Sequence, residues 1–294
     1  MWSDAIERRS ALDASVNWVA PGVPGLLEAR LVRRDGRKLV VYLSSQTGCR
    51  QACRMCHLTA TGQTDLRDAT PAEILAQADT VLADYRRRGP EAEVVHFNFM
   101  ARGEPLASAA FLDAADDVLE SLDRRALALD LAPRVLVSTI LPRTLDRPLE
   151  AIFARRRPEV YYSIYSMNDA FRRRWLPKAL PVSEGLDLLA SWQQHTHKTV
   201  KLHYAFIEGE NDAEHDVRAI CDAVQSRGLD VHVNIVRYNP FDPARHGSEP
   251  PEAIVFRNAA LFASLLPQSR VKVIGRVGFD VNASCGMFQS VRAR

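Results

Sequence analysis

Gly48-Cys49-Arg50-Gln51-Ala52-Cys53-Arg54-Met55-Cys56 is the stretch on which the reading of this chain turns. Three of the five cysteines stand in it, spaced C-x3-C-x2-C. Thiolates that close together can wrap one four-iron, four-sulfur cubane and leave its fourth iron without a protein ligand. An iron with an open position is a place for a small molecule to bind. A structural zinc site takes four ligands, as paired C-x2-C or as C-x2-C with histidines. His57 follows Cys56 directly, too near for the usual fourth ligand. A disulfide framework is disfavoured by the odd count of five cysteines, the length of 294 residues and the lack of a secretory signal.

Composition bounds the rest. At 47% hydrophobic and 25% charged residues the chain is an ordinary globular one. The net charge of +2 does not by itself demand a nucleic-acid partner. Three arginine runs, Arg86–Arg88, Arg155–Arg157 and Arg172–Arg174, are candidate phosphate contacts. The first two read as helix C-termini, where cations meet the macrodipole, before Gly89-Pro90 and Pro158. The third, expected in a loop beside Trp175, is the better substrate contact. No apolar run approaches the ~20 residues of a membrane span, and the N-terminus lacks an apolar signal core. Reduced thiols and a soluble chain imply the cytoplasm and no membrane partner, and a monomer is the expected state.

Hydrophobic periodicity sets the architecture. Residues 1–37 read as an N-terminal extension, with one short strand near Leu26–Arg33. Buried strands then follow at 38–44, 94–99, 134–140, 160–166, 200–206 and 231–236, with a final one near 270–278. Helices are expected at 70–88, opened by Thr70-Pro71, and at 111–122, 145–156, 183–194, 213–226 and 251–265. Six βα alternations imply an α/β chain: a partial, TIM-like (β/α)6 barrel over residues 38–294, ending in a polar tail. In such barrels the active site lies at the C-terminal ends of the strands, where the cysteine loop falls. Polar residues inside the strands, His96, Asn98, Lys201, His203, His232 and Asn234, are candidate pocket groups. Cys221 shares a helical face with Val217, Ile220 and Val224 and reads as core.

Further motifs stand in a fixed order: Ser44-Ser45-Gln46-Thr47-Gly48-Cys49, Gly103-Glu104-Pro105, Ser138-Thr139, Ser163-Ile164-Tyr165-Ser166 with Asn168-Asp169, Gly209-Glu210-Asn211-Asp212, Asn239-Pro240-Phe241 and Ala283-Ser284-Cys285-Gly286. This ordered set resembles the RlmN/Cfr-type adenosine methyltransferases of the radical SAM superfamily. The resemblance implies a [4Fe-4S] cluster on Cys49, Cys53 and Cys56. It implies S-adenosylmethionine (SAM) on the open iron, and cleavage to a 5′-deoxyadenosyl radical. Glu104 would pair with the methionine ammonium, and Ser138, Ser163 and Asn239 would contact the cofactor. Cys285 would carry a methyl group to an adenine carbon of RNA. RNA and a flavodoxin-type electron donor are the implied partners.

The chain also departs from the family pattern. The family's second cysteine, seven residues before the first cluster cysteine, is Tyr42 here. A phenol near pKa 10 is a poor base at neutral pH. Met55 and Tyr165 replace a usual aromatic and a usual histidine. The 37 residues ahead of the barrel leave no room for a separate RNA-docking domain. These departures keep a second reading open: a radical SAM enzyme acting on another nucleotide, a peptide or a small metabolite, without a methylated cysteine. A zinc-bound nucleic-acid-binding module is a third.

Overall fold

The computed structural model describes residues 2, 4–33, 36–88 and 92–290. One sheet runs through it in chain order. β1 (Ile6–Arg9), β2 (Val16–Pro21) and β3 (Leu26–Val32) are antiparallel neighbours, and β3 pairs antiparallel with β4 (Lys38–Tyr42). From β4 onward every pairing is parallel, through β5 (Val94–Phe99), β6 (Ala132–Thr139), β7 (Glu159–Ser163), β8 (Val200–Tyr204), β9 (Val231–Val236) and β10 (Val271–Ile274).

The sheet curls. β4 and β10 are six strand spacings apart, about 29 Å across a flat sheet. Yet Val40 and Tyr42 of β4 line one internal well together with His96, Asn98, Leu136, Tyr161, His203, Asn234 and Ile274. The alternate residues, Leu39, Val41, Val95, Phe97, Val233 and Ile235, are buried in the core on the other face. Period-2 alternation therefore separates a polar interior from an apolar coat.

That coat is made by helices. The first two are α1 (His57–Ala60), in the cysteine loop, and α2 (Pro71–Arg88). α2 opens on a capping box: Thr70 N donates to Glu73 Oε2 at 2.8 Å, and Glu73 N donates to Thr70 Oγ1 at 3.2 Å. Its stripe of Ile74, Ala78, Val81 and Leu82 is buried, each of the larger side chains contributing about 1.5–3 kcal/mol of transfer free energy. α3 (Ala109–Asp113) and α4 (Ala115–Leu127) follow, then α5 (Leu149–Ile152), α6 (Asp169–Trp175), α7 (Val182–Thr196), α8 (Glu214–Gln225), α9 (Pro243–His246) and α10 (Glu252–Leu265). Cys221 of α8 is fully buried in the core, as its helical face implies. Among the described residues no helix is long and apolar enough to cross a membrane.

Several elements differ from the sequence reading. The N-terminal extension holds three strands rather than one, all in the main sheet. The helix expected over 111–122 breaks at Ala114 (φ −119°, ψ 17°) into α3 and α4. The one expected over 145–156 is reduced to α5, because Pro148 at its N-cap disfavours helical backbone in the residue before it. Arg155 and Arg156 therefore do not end a helix. They bond Asp116, Asp117, Glu120 and Asp123 of α4. Arg172–Arg174 lies in α6, not in a loop. The Arg172 guanidinium is buried and donates to the carbonyls of Ile164 (2.7 Å) and Leu180 (3.0 Å), so it braces the chain. Gly89-Pro90, expected to stop α2, lies outside the described residues.

Candidate active site

The cysteine loop leaves β4 and is fixed at both ends. Ser44 N donates to Gln77 Oε1 (2.7 Å), and Ser44 Oγ donates to Glu28 O (2.6 Å). Gln46 bridges Asp68 across the neck of the loop. Gly103 makes the next approach possible. Its φ is +94°, and a Cβ there would stand 2.7 Å from Gln46 Cβ and 2.8 Å from Gln46 N. Only glycine lets the Gly103-Glu104-Pro105 turn lie against this loop.

Cys49, Cys53 and Cys56 line one cavity, shared with Glu104, Ser138, Ser163, His203 and Cys285. No disulfide joins any of the five cysteines. Burial pushes the Cys49 thiol up to about 12, and the neighbouring Cys56 adds to the rise. Cys53 and Cys56 are raised too, again chiefly by burial. Three half-buried thiols that resist ionisation suit a cationic iron–sulfur cluster, which would stabilise all three as thiolates. Among the described residues no three His, Cys, Asp or Glu side chains are grouped to hold a single metal ion.

Glu104 is buried on the cavity wall after β5. Its Oε1 accepts from Leu106 N (3.1 Å) and its Oε2 from Ile140 N (3.0 Å). Burial nevertheless raises its pKa to about 7, against the opposing bonds from Thr139, Ile140 and Leu106. An ammonium in the cavity would reverse that penalty. Ser138, at the end of β6, donates from Oγ to Asn98 Oδ1 (2.8 Å). Ser163, at the end of β7, lies 3.5 Å from His203 Nδ1. Asn239 is not in this cavity. It lines the neighbouring clefts, with Nδ2 donating to Cys285 O (3.0 Å) and Oδ1 accepting from Arg276 Nε (2.8 Å). Of the interior strand groups, His96, Asn98, His203 and Asn234 face the deeper well. Lys201 is ion-paired with Glu159 instead, and His232 bonds backbone at the strand's other end.

The tail brings Cys285 to this cavity, and the residues that hold it there escaped the sequence reading. Glu28 and Arg30 of β3 and Arg102 after β5 form a buried charge cluster: Arg30 Nη2–Glu28 Oε2 at 2.7 Å and Arg102 Nε–Glu28 Oε1 at 2.9 Å. Burial works to raise the Glu28 pKa, and the two guanidinium charges outweigh it and leave it below the ordinary value. Three further donors of the cluster go to tail carbonyls, and Arg102 Nη1 donates to Thr47 O (3.3 Å) in the cysteine loop. Arg30 reaches Met287 O (2.6 Å) and Ser284 O (3.3 Å), and Arg102 reaches Gln289 O. Glu28 Oε1 also accepts from Gln289 N (3.0 Å), and Asn17 of β2 donates to Val281 O (3.1 Å). Both arginines lie over the Phe288 ring. A charged Glu-x-Arg inside an otherwise apolar strand was the signal available in the sequence.

Known proteins resemble this arrangement. No family model matches the chain. It is 31% identical over 301 residues to a probable dual-specificity RNA methyltransferase RlmN of Synechococcus sp. strain RCC307, covering 99% of this chain and 81% of the relative. An RlmN of Synechococcus elongatus is 31% identical over 88% of this chain and 69% of its own length. The chain belongs to the RlmN family of radical SAM methyltransferases. The structure agrees at the level of fold. A radical SAM methyltransferase from Sphaerobacter thermophilus superposes with a TM-score of 0.80 at 21% identity, over 97% of this chain and 81% of its own. SuiB of Streptococcus suis, a structure with bound S-adenosylmethionine, superposes at 0.59 over 82% of this chain and 51% of its own. A [4Fe-4S] cluster and SAM are the cofactors of this RlmN-type chain.

Proposed function

We propose that this RlmN-type enzyme methylates an adenine carbon of RNA and uses Cys285 as its methyl carrier. The single observation that carries the reading is that Cys285 opens into the same cavity as Cys49, Cys53 and Cys56, together with Glu104. The names of the curated relatives support RNA as substrate. A flavodoxin-type reductant is the matching electron donor.

In this reading Cys49, Cys53 and Cys56 hold the cluster, and Glu104 receives the methionine ammonium of SAM. Bound together, cluster and SAM supply a methyl cation equivalent and, on reduction, a carbon radical. The protein's part is placement. Ser138 and Ser163 offer hydroxyls at the strand ends. Asn239 holds the tail through the Cys285 carbonyl. The three guanidinium bonds from Arg30 and Arg102 fix the Cys285 segment against the barrel mouth. Such fixed positioning is what raises the effective concentration of a reacting group.

The test is anaerobic reconstitution with methyl-labelled SAM and dithionite, followed by mass analysis of Cys285 and of an RNA digest. Label on Cys285 and new methyladenosine are expected. An enzyme that turns over while Cys285 stays unlabelled would overturn the reading. Tyr42 favours that second outcome. It is buried on the deeper well, where the family pattern has its second cysteine. A Cys285→Ala variant that still converts substrate would establish the cysteine-independent chemistry.

A further inference from the structure

We propose that His203 is the catalytic base that takes the proton from the Cys285 thiol when that sulfur accepts its methyl group. The proposal rests on the reading of Cys285 as methyl carrier. His203 stands near the C-terminal end of β8, a strand whose alternation turns it into the barrel. Its Nε2 lies 3.6 Å from Cys285 Sγ, within reach of an S–H donor, and its Nδ1 lies 3.5 Å from Ser163 Oγ. One tautomer satisfies both contacts: Nδ1–H donates to Ser163, and the bare Nε2 accepts from the thiol. The Tyr165 ring stands edge-on to the imidazole at 6.1 Å and helps hold its plane. His203 and Cys285 line both the upper cavity and the deeper well, so the pair sits where the two meet.

The chemistry balances. The Cys285 S–H bond breaks and its proton goes to His203 Nε2. The sulfur forms a bond to the methyl carbon, and the sulfonium C–S bond breaks with its electron pair on the departing thioether sulfur. No oxidant or reductant is required. The charge balances too. A positive charge enters as sulfonium and ends as imidazolium, so the cavity never holds a separated thiolate and cation. Burial keeps His203 near pKa 4 in the absence of such a charge, so at neutral pH the ring is uncharged and ready to accept. The cost of burying a positive charge, which lowers that pKa, is already present on the sulfonium before transfer. The imidazolium then releases its proton to water as the thioether product departs.

Two arms test this. Cofactor-free protein is alkylated with iodoacetamide at pH 7, and the rate at Cys285 is read by peptide mass analysis, with core Cys221 as internal control. In parallel, cluster-loaded protein without reductant is given labelled SAM, and the rate of label transfer to Cys285 is followed. His203→Gln should slow label transfer on the order of 100-fold, the lower end of what a positioned base contributes, and alkylation by a smaller factor, because no sulfonium charge is present there to be exchanged for the imidazolium. Iron and sulfide content should stay at the wild-type level. Ser163→Ala removes the Nδ1 partner and also a hydroxyl assigned to SAM, so it is read in the alkylation arm, where no SAM is present, and should slow that arm about 5-fold, the worth of one ordinary hydrogen bond. If His203→Gln fails to load its cluster, Ser163→Ala decides. Wild-type rates in both variants, or in Ser163→Ala where His203→Gln does not load, would overturn the role of His203. If wild-type Cys285 acquires no label at all, the methyl-carrier reading falls instead. The alkylation arm still reports whether His203 activates the thiol.

Discussion

At Glu104 a buried carboxylate accepts from backbone N–H groups and from Thr139, and its pKa still rises to about 7. The consequence for stability has a definite sign. An unfolded glutamate titrates near 4.5. Between that value and about 7 the folded state keeps a proton that the unfolded state has lost. Stability of the cofactor-free protein should therefore fall as pH rises through this window, by about 3 kcal/mol in all. Glu104→Gln should lack that fall, so the two proteins diverge between pH 5 and 8 in urea unfolding. Parallel curves would show that the carboxylate is ionised in the fold. The sequence marks Glu104 through its Gly-Glu-Pro turn. It gives no sign that His203, on the same cavity, approaches Cys285, because 82 residues separate them.

β3 is the element whose part in the site the alternation pattern hid. Read along the chain, residues 1–37 lead into a barrel. In the fold, β2 and β3 extend its sheet and clamp the far end of the chain through Asn17, Glu28 and Arg30. Removing one member of such a buried charge cluster leaves the others unpaired. Glu28→Gln should destabilise the protein by about 3–5 kcal/mol. Hydrogen exchange should also quicken over residues 281–289 more than in β5–β8. Unchanged exchange in the tail would mean that the clamp does not hold it. A second glycine serves the same purpose. Gly278 has φ +64°, and a Cβ there would lie 2.6 Å from Ala283 Cβ and 2.9 Å from Ser15 Cβ. The tail turns back beneath β2 only through that residue.

For the molecule as a whole, the cavity is the meeting place of segments far apart in the chain, several of which also share an apolar cluster of Met55, Ile140, Tyr165, Trp175 and Leu176. The cysteine loop with α1, the Glu104 turn, the ends of β6–β8, α6 through Leu176, and the tail all reach the cavity. A ligand there ties them together and stabilises the fold by mass action. A ligand at ~1,000 times its dissociation constant adds about 4 kcal/mol, or about 10 °C in Tm for a chain of this size. Stripping the cluster anaerobically with a chelator should lower Tm by about that amount, read by calorimetry. A Tm insensitive to iron content would show that the loop is rigid without its cluster. Arg155, Arg156 and Arg172 of the arginine runs are engaged elsewhere: Arg155 and Arg156 are bound to α4 acids, and Arg172 to backbone carbonyls.

By itself the sequence marked three candidate cluster thiols and determined the parallel core and the family, because each rests on local signals. Three thiols within eight residues, strands of buried period and short ordered motifs are readable one segment at a time. Only the tertiary structure decided how β2 and β3 hold the tail, that Asn239 faces Cys285 O rather than the cavity, and that His203 meets the Cys285 thiol. Those facts depend on sheet curvature and chain crossing. They join residues 46 to 264 positions apart, a range over which no local pattern in the chain carries information.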